Sequence, residues 1–187
     1  MSLSLIAGAG LAACDARPGV AASLGDVVVT EAEAATVTAQ INAVSELGGQ
    51  GPSTVGVIAL TIVIERYCRD LVNQTGDQSL IDVAKVPTAD EFETWMSQGL
   101  AAEQVETIMA LEPVGTTRSL LMNGWQTAYS QAVQDGLIGA ETADALNNMV
   151  LNPRYGVLDN ETNVIEQPAY PWAVSVSQPT PSAEPQR

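Results

Sequence analysis

LGDVVVTEAEA, Leu24 to Ala34, decides how this chain is built. Three valines follow a Gly-Asp pair, and a β-branched run after a turn pair reads as a strand, Leu24 to Thr30. Thr30 stands three residues before Glu33, the spacing of a capping box. There the Thr hydroxyl accepts from the Glu33 N–H while the Glu33 carboxylate reaches back. The chain therefore passes from a strand straight into a helix. Ala35, Val37, Ile41, Val44 and Leu47 carry that helix at near-helical spacing, and Gly48-Gly49 stops it.

Further helices follow. After the loop GQGPS, a second helix is expected from about Thr54 to Asn73. Its first half, Val55 to Ile64, is apolar on nearly all sides, which marks a helix central to a core or one lining an apolar groove. Thr88 and Glu91 form a second capping box after Pro87, opening a helix that ends near Gly99. AAEQVETIMAL continues as a short helix. TTRSLLMNGWQTAYSQAVQDG reads as one longer helix stopped by Gly136, and GAETADALNNMVL as a sixth, short one.

The pattern changes at NPRYGVLDNETNVIEQPAYPWAVSVS. Pro153 is excluded from a helix interior, and its neighbours read as extended. RYGVLD and AVSVS are expected strands around the turn from Asp159 to Asn163. That turn is acidic but lacks the ligand spacing and the glycine of an EF-hand loop. SQPTPSAEPQR is a Pro/Ser-rich tail.

At the other end, SLIAGAGLAACDARPGVAA is an uncharged, Leu/Ala/Gly-rich run that stops at Cys14. It has the apolar body and small-residue exit of a secretory signal. Leu11-Ala12-Ala13-Cys14 resembles a bacterial lipobox, which implies lipid attachment at Cys14 and an extracytoplasmic, membrane-anchored protein. A start assigned too late would account for the missing basic leader. With Cys14 acylated, Cys68 has no disulfide partner and reads as a small core residue.

The formal net charge is -15 and there is no histidine. Such a chain is repelled by nucleic-acid phosphates, and membrane contact is left to acyl chains. Zero histidines removes Ser-His-Asp and Cys-His devices and histidine-containing zinc sites. No phosphate-binding loop is present, and the glycines around Gly48 to Gly51 lack the strand and spacing of a nucleotide fold. No catalytic, cofactor or metal site is expected, and no enzyme.

VAASLGDVVVTEAEA resembles the opening of SurA-type periplasmic chaperones, and VLNPRYGVLD resembles the closing element of small SurA-like lipoproteins of actinobacteria. Asn152-Pro153-Arg154-Tyr155-Gly156 is the sharper match, and Leu158 departs from the tryptophan of that pattern. The resemblance spans Cys14 to about Trp172 and leaves no room for a parvulin domain. It implies a mostly α fold, a SurA N-terminal-like helical domain with a short N-terminal strand paired to C-terminal strands. The Asp26–Thr30 strand is expected to pair with Arg154–Asp159 or Ala173–Ser177. The organisation is then a signal segment (1–13), a tether (14–23), a single helical domain (24–177) and a tail (178–187).

The expected function is chaperone-like binding of unfolded exported polypeptides. Such a site needs adaptable apolar side chains with little buried polar demand. Val57, Leu60, Ile64, Leu121, Met122, Trp125 and Tyr129 are the candidates, although the same residues would serve as core. The alternative is a lipoprotein that docks one envelope partner and handles no clients.

Overall fold

A computed structural model describes residues 18–139, 141–159 and 164–166. Val20–Leu24 (β1) and Val27–Thr30 (β2) form an antiparallel hairpin about Gly25-Asp26, with Gly25 in the left-handed region at φ 56°. The strand expected over Leu24–Thr30 is thus the second arm of a hairpin. Its first arm lies in the stretch read as a tether. VAASL lacks the β-branched content that marks a strand. Its small side chains suit the close approach of Val55–Thr75 (α2), which packs over β1 and leaves Ala21 and Ala22 buried.

It is β1, not β2, that joins the closing segment. Ala22 pairs with Leu151 and Ser23 with Val150, so Val150–Leu151 (β3) completes a sheet of order β2-β1-β3. Arg154 and Tyr155 sit in a 3-10 turn, Pro153–Tyr155. The rest of the expected strand, Val157–Asp159 (β4), pairs with Val164–Glu166 (β5) in a separate ribbon. Ala173–Ser177 lies outside the described residues, as do Cys14 and the tail. The opening and closing parts nevertheless belong to one unit, and the fold is mostly helical as expected.

The helices are Glu31–Leu47 (α1), α2, Gln78–Ala84 (α3), Ala89–Met96 (α4), Ala102–Met109 (α5), Gly115–Met122 (α6), Gly124–Gln134 (α7) and Glu141–Ala145 (α8). Thr30 caps α1 by accepting from the Glu33 N–H at 3.1 Å, but the Glu33 carboxylate turns away to pair with Arg66 of α2. Thr88 and Glu91 complete their box at α4. The long helix expected over 116–136 is two. Asn123 breaks it in the left-handed conformation (φ 54°, ψ 19°), and Gly124 lies so close to α3 that a Cβ would sit 2.4 Å from the Val83 carbonyl oxygen. The expected sixth helix is likewise cut short: α8 gives way to a 3-10 turn, Leu146–Asn148, and then to β3.

Three apolar clusters hold the fold. The main one joins the sheet, α1 and the first half of α2. A second gathers Cys68 and Val72 of α2 with α3 and Trp125, Ala128 and Ala132 of α7. A third, Phe92, Met96, Val105 and Ile108, belongs to α4 and α5 and leans on Val44, Leu121 and Met122.

NPRYG closes the domain. The Asn152 backbone N–H donates to the Ala21 carbonyl, its Nδ2 donates to the Val20 carbonyl and to Glu31, and its Oδ1 accepts from the Arg154 N–H. Arg154 pairs with Glu31 at 3.2 Å, at the start of α1. Tyr155 lies against Gly56 of α2, where an added Cβ would come within 3.0 Å of the Tyr155 Cβ. Gly156 has φ 133°, and a Cβ there would meet Ile165 at 2.3 Å. Only glycine combines that backbone with that contact.

Candidate functional site

The seven residues expected to bind clients do not share a groove. Leu60 is buried in the main cluster and Trp125 in the second, and Ile64 bridges the two. Tyr129 packs beside Trp125, and Met122 against the α4–α5 cluster. Val57 is exposed, on the one flank of the first half of α2 that faces outward. Met122 and Trp125 line a narrow cavity of about 210 Å³ with Asp82, Lys85 and Glu91. Trp125, 7% exposed, packs with Ala128 and Ala132 in the second cluster, and its buried indole N–H has no hydrogen-bond partner among the described residues.

Leu121 is the exception. It forms part of a cleft of about 460 Å³ between the end of α1 and the corner that follows α4. Val44, Trp95, Met96 and Leu100 supply the rest of its apolar lining, with Ser45, Gln50 and Gln98 as uncharged polar neighbours. Trp95 stacks on fully buried Phe92 (ring centroids 5.9 Å apart, planes 19° from parallel) and remains 42% exposed. A large aromatic fixed from behind and open in front is a ready contact surface. Trp95 was not among the sequence candidates. Its signal was the spacing Phe92, Trp95, Met96, which puts it on the margin of the apolar face of α4.

A second cleft of about 430 Å³ lies on the other flank of α4, between it and α5. Glu93, Ser97, Val105, Glu106 and Met109 line it. Glu93 and Ser97 are one helical turn apart, while Phe92 and Met96 point inward between the two clefts.

Buried polar groups elsewhere serve structure. Glu65 is 1% exposed, and its Oε1 accepts from Arg69 at 2.6 Å and from Ser119 at 2.7 Å, tying α2 to α6. Burial, with the nearby Glu65 charge, pushes the Cys68 thiol up to about 12, which keeps it an unreactive core group. Among the described residues no three His, Cys, Asp or Glu side chains converge as metal ligands, and no helix is long and apolar enough to cross a membrane.

Fold and clefts together define a mostly helical domain, closed by a small sheet, with an apolar cleft beside α4. No protein-family model, curated protein or solved structure matches the chain.

Proposed function

We propose that this protein is a non-catalytic, chaperone-like binding module, tethered at the membrane through Cys14 on the extracytoplasmic side. In this reading the cleft beside α4 receives apolar side chains of unfolded exported polypeptides. The observation that carries it is the half-exposed Trp95 over a charge-free apolar cleft. Met96 adds an adaptable wall, suited to side chains of different shape. The anchor rests on Leu11-Ala12-Ala13-Cys14.

A second reading, docking of one envelope partner, is favoured by the cleft's size. Its volume holds one or two side chains rather than a length of chain.

Aggregation of several unrelated unfolded proteins, followed with and without this chain, separates the two. A holdase slows all of them, unfolded clients shift the Trp95 emission, and Trp95→Ala loses both effects. Because Trp95 is only part buried, that substitution should cost about 1 kcal/mol of stability, well under the ~3–5 kcal/mol of removing a core aromatic. Unchanged aggregation and emission overturn the holdase and leave the docking lipoprotein. The anchor is checked by intact mass of membrane-extracted protein made from the full gene. The expected chain starts at Cys14 with added acyl mass, and any other start without that mass ends the proposal.

A further inference from the structure

We propose that the segment taken up at α4 is basic as well as apolar: an aromatic or aliphatic anchor for the cleft at Trp95, joined within a few residues to a Lys or Arg that reaches Glu93 and Glu106. The inference rests on the reading of the Trp95 cleft as a polypeptide site and adds the chemistry of the partner.

The two clefts flank one helix. Glu93 and Ser97 line one, and Trp95 and Met96 with Gln98 and Gly99 just beyond the helix line the other. A helix is about 10 Å across, a distance three extended residues cover. The apolar cleft has no charged lining residue, whereas the second is lined by two carboxylates that form no ion pair among the described residues.

The protein's own described cations do not compete for those carboxylates. Arg66 pairs with Glu33, Arg69 with Glu65, Lys85 with Glu91 and Arg154 with Glu31. Arg118 donates to the carbonyls of Pro87 and Pro113. No basic residue stands in the last turn of α4 or α5, so neither helix brings a cation of its own to the cleft. A cation for this cleft has to come from the partner. An acidic segment with the same anchor is repelled, which gives selectivity that an apolar cleft alone lacks.

The test titrates the full chain with three synthetic peptides followed by amide NMR shifts. All carry the same Trp and Leu anchors and differ at two nearby positions, which are Lys/Arg, Gln or Glu. The basic peptide should bind about tenfold more tightly than the neutral one, and the acidic peptide more weakly than both. Raising salt from about 50 to about 500 mM should erase most of that advantage, because the pairs are exposed. The double variant Glu93→Gln/Glu106→Gln should bring the basic peptide down to the neutral one's affinity and leave the neutral peptide unchanged. Equal binding of basic and neutral peptides, insensitive to salt, overturns the basic-partner inference while the Trp95 cleft stands. Binding of none of the three, or binding unaltered by Trp95→Ala, overturns the cleft reading and this inference with it.

Discussion

At the seam where the chain closes, Asn152 makes four hydrogen bonds to groups at residues 20, 21, 31 and 154, and Arg154 pairs with Glu31. At the α4 corner, Trp95 stacks on one ring and faces outward, and Glu93 and Glu106 pair with no described cation. The first region is the more distinctive sequence and directs its chemistry inward. The second is generic sequence and directs its chemistry to solvent. A sharp motif therefore marks here where the backbone must be held, and the proposed contact surface lies where the sequence is plainest.

The strongest way to break this contrast is to remove the seam. Deleting residues from Asn152 onward strips Tyr155, Leu158 and Ile165 from the main cluster. At about 1.5 kcal/mol for each half-buried side chain, plus the lost Asn152 bonds, the cost is on the order of 5 kcal/mol. That matches the lower end of a domain's whole stability. The truncated chain should show little cooperative melting by circular dichroism. A melt like that of the intact chain would make the closing segment an appendage.

A gentler cut is Asn152→Ala, which keeps the backbone and leaves the Val20 carbonyl and Glu31 short of a donor. Urea denaturation should show a loss of about 2 kcal/mol with an unchanged slope. A loss below about 0.5 kcal/mol would mean that backbone pairing alone holds the seam.

The smallest effect belongs to the corner and to acid. The Lys85 ammonium, with the Thr88 backbone and hydroxyl, holds the Glu91 carboxyl down to about 2. A carboxyl lowered on folding stabilises fully above its unfolded value, near 4.5, and that contribution fades as pH falls toward about 2. The protection of the amides at the start of α4, taken relative to the intrinsic exchange rate at each pH, should therefore fall between pH 4.5 and 2, and Glu91→Gln should flatten that dependence. An identical pH response in the variant would remove Glu91 as its source.

How much of this was legible in the sequence follows from which forces are local. Capping spacing and glycine stops are local, so α1 and the start of α4 were readable from Thr30, Gly48, Thr88 and Glu91. Contacts from distant segments are not. β1 is a strand because α2 and β3 hold it, although VAASL has little intrinsic reason to extend. The approach of α7 to Val83 is why Asn123 breaks a stretch whose periodicity runs on, and the Asn-Gly pair was its one local sign. The missed helix α3 did carry a local sign, since Asp77 accepts from the Ser79 and Leu80 N–H groups as an N-cap. Core and surface candidates on the helices were not separable in the sequence, because apolar spacing on a helix is the same for a core face and an open one. Only the assembled packing separates Trp125, at 7% exposure, from Trp95.

The bond from Asn152 to Val20 also sets a clock on the ribosome. Those residues are 132 positions apart, and synthesis at about 5–20 residues per second places the second on the order of ten seconds after the first. Throughout that interval the hairpin made first lacks its third strand, and the face of α2 that Tyr155 and Ile165 later cover is open. The nascent chain thus carries an uncovered apolar surface of its own until Tyr155 and Ile165 emerge.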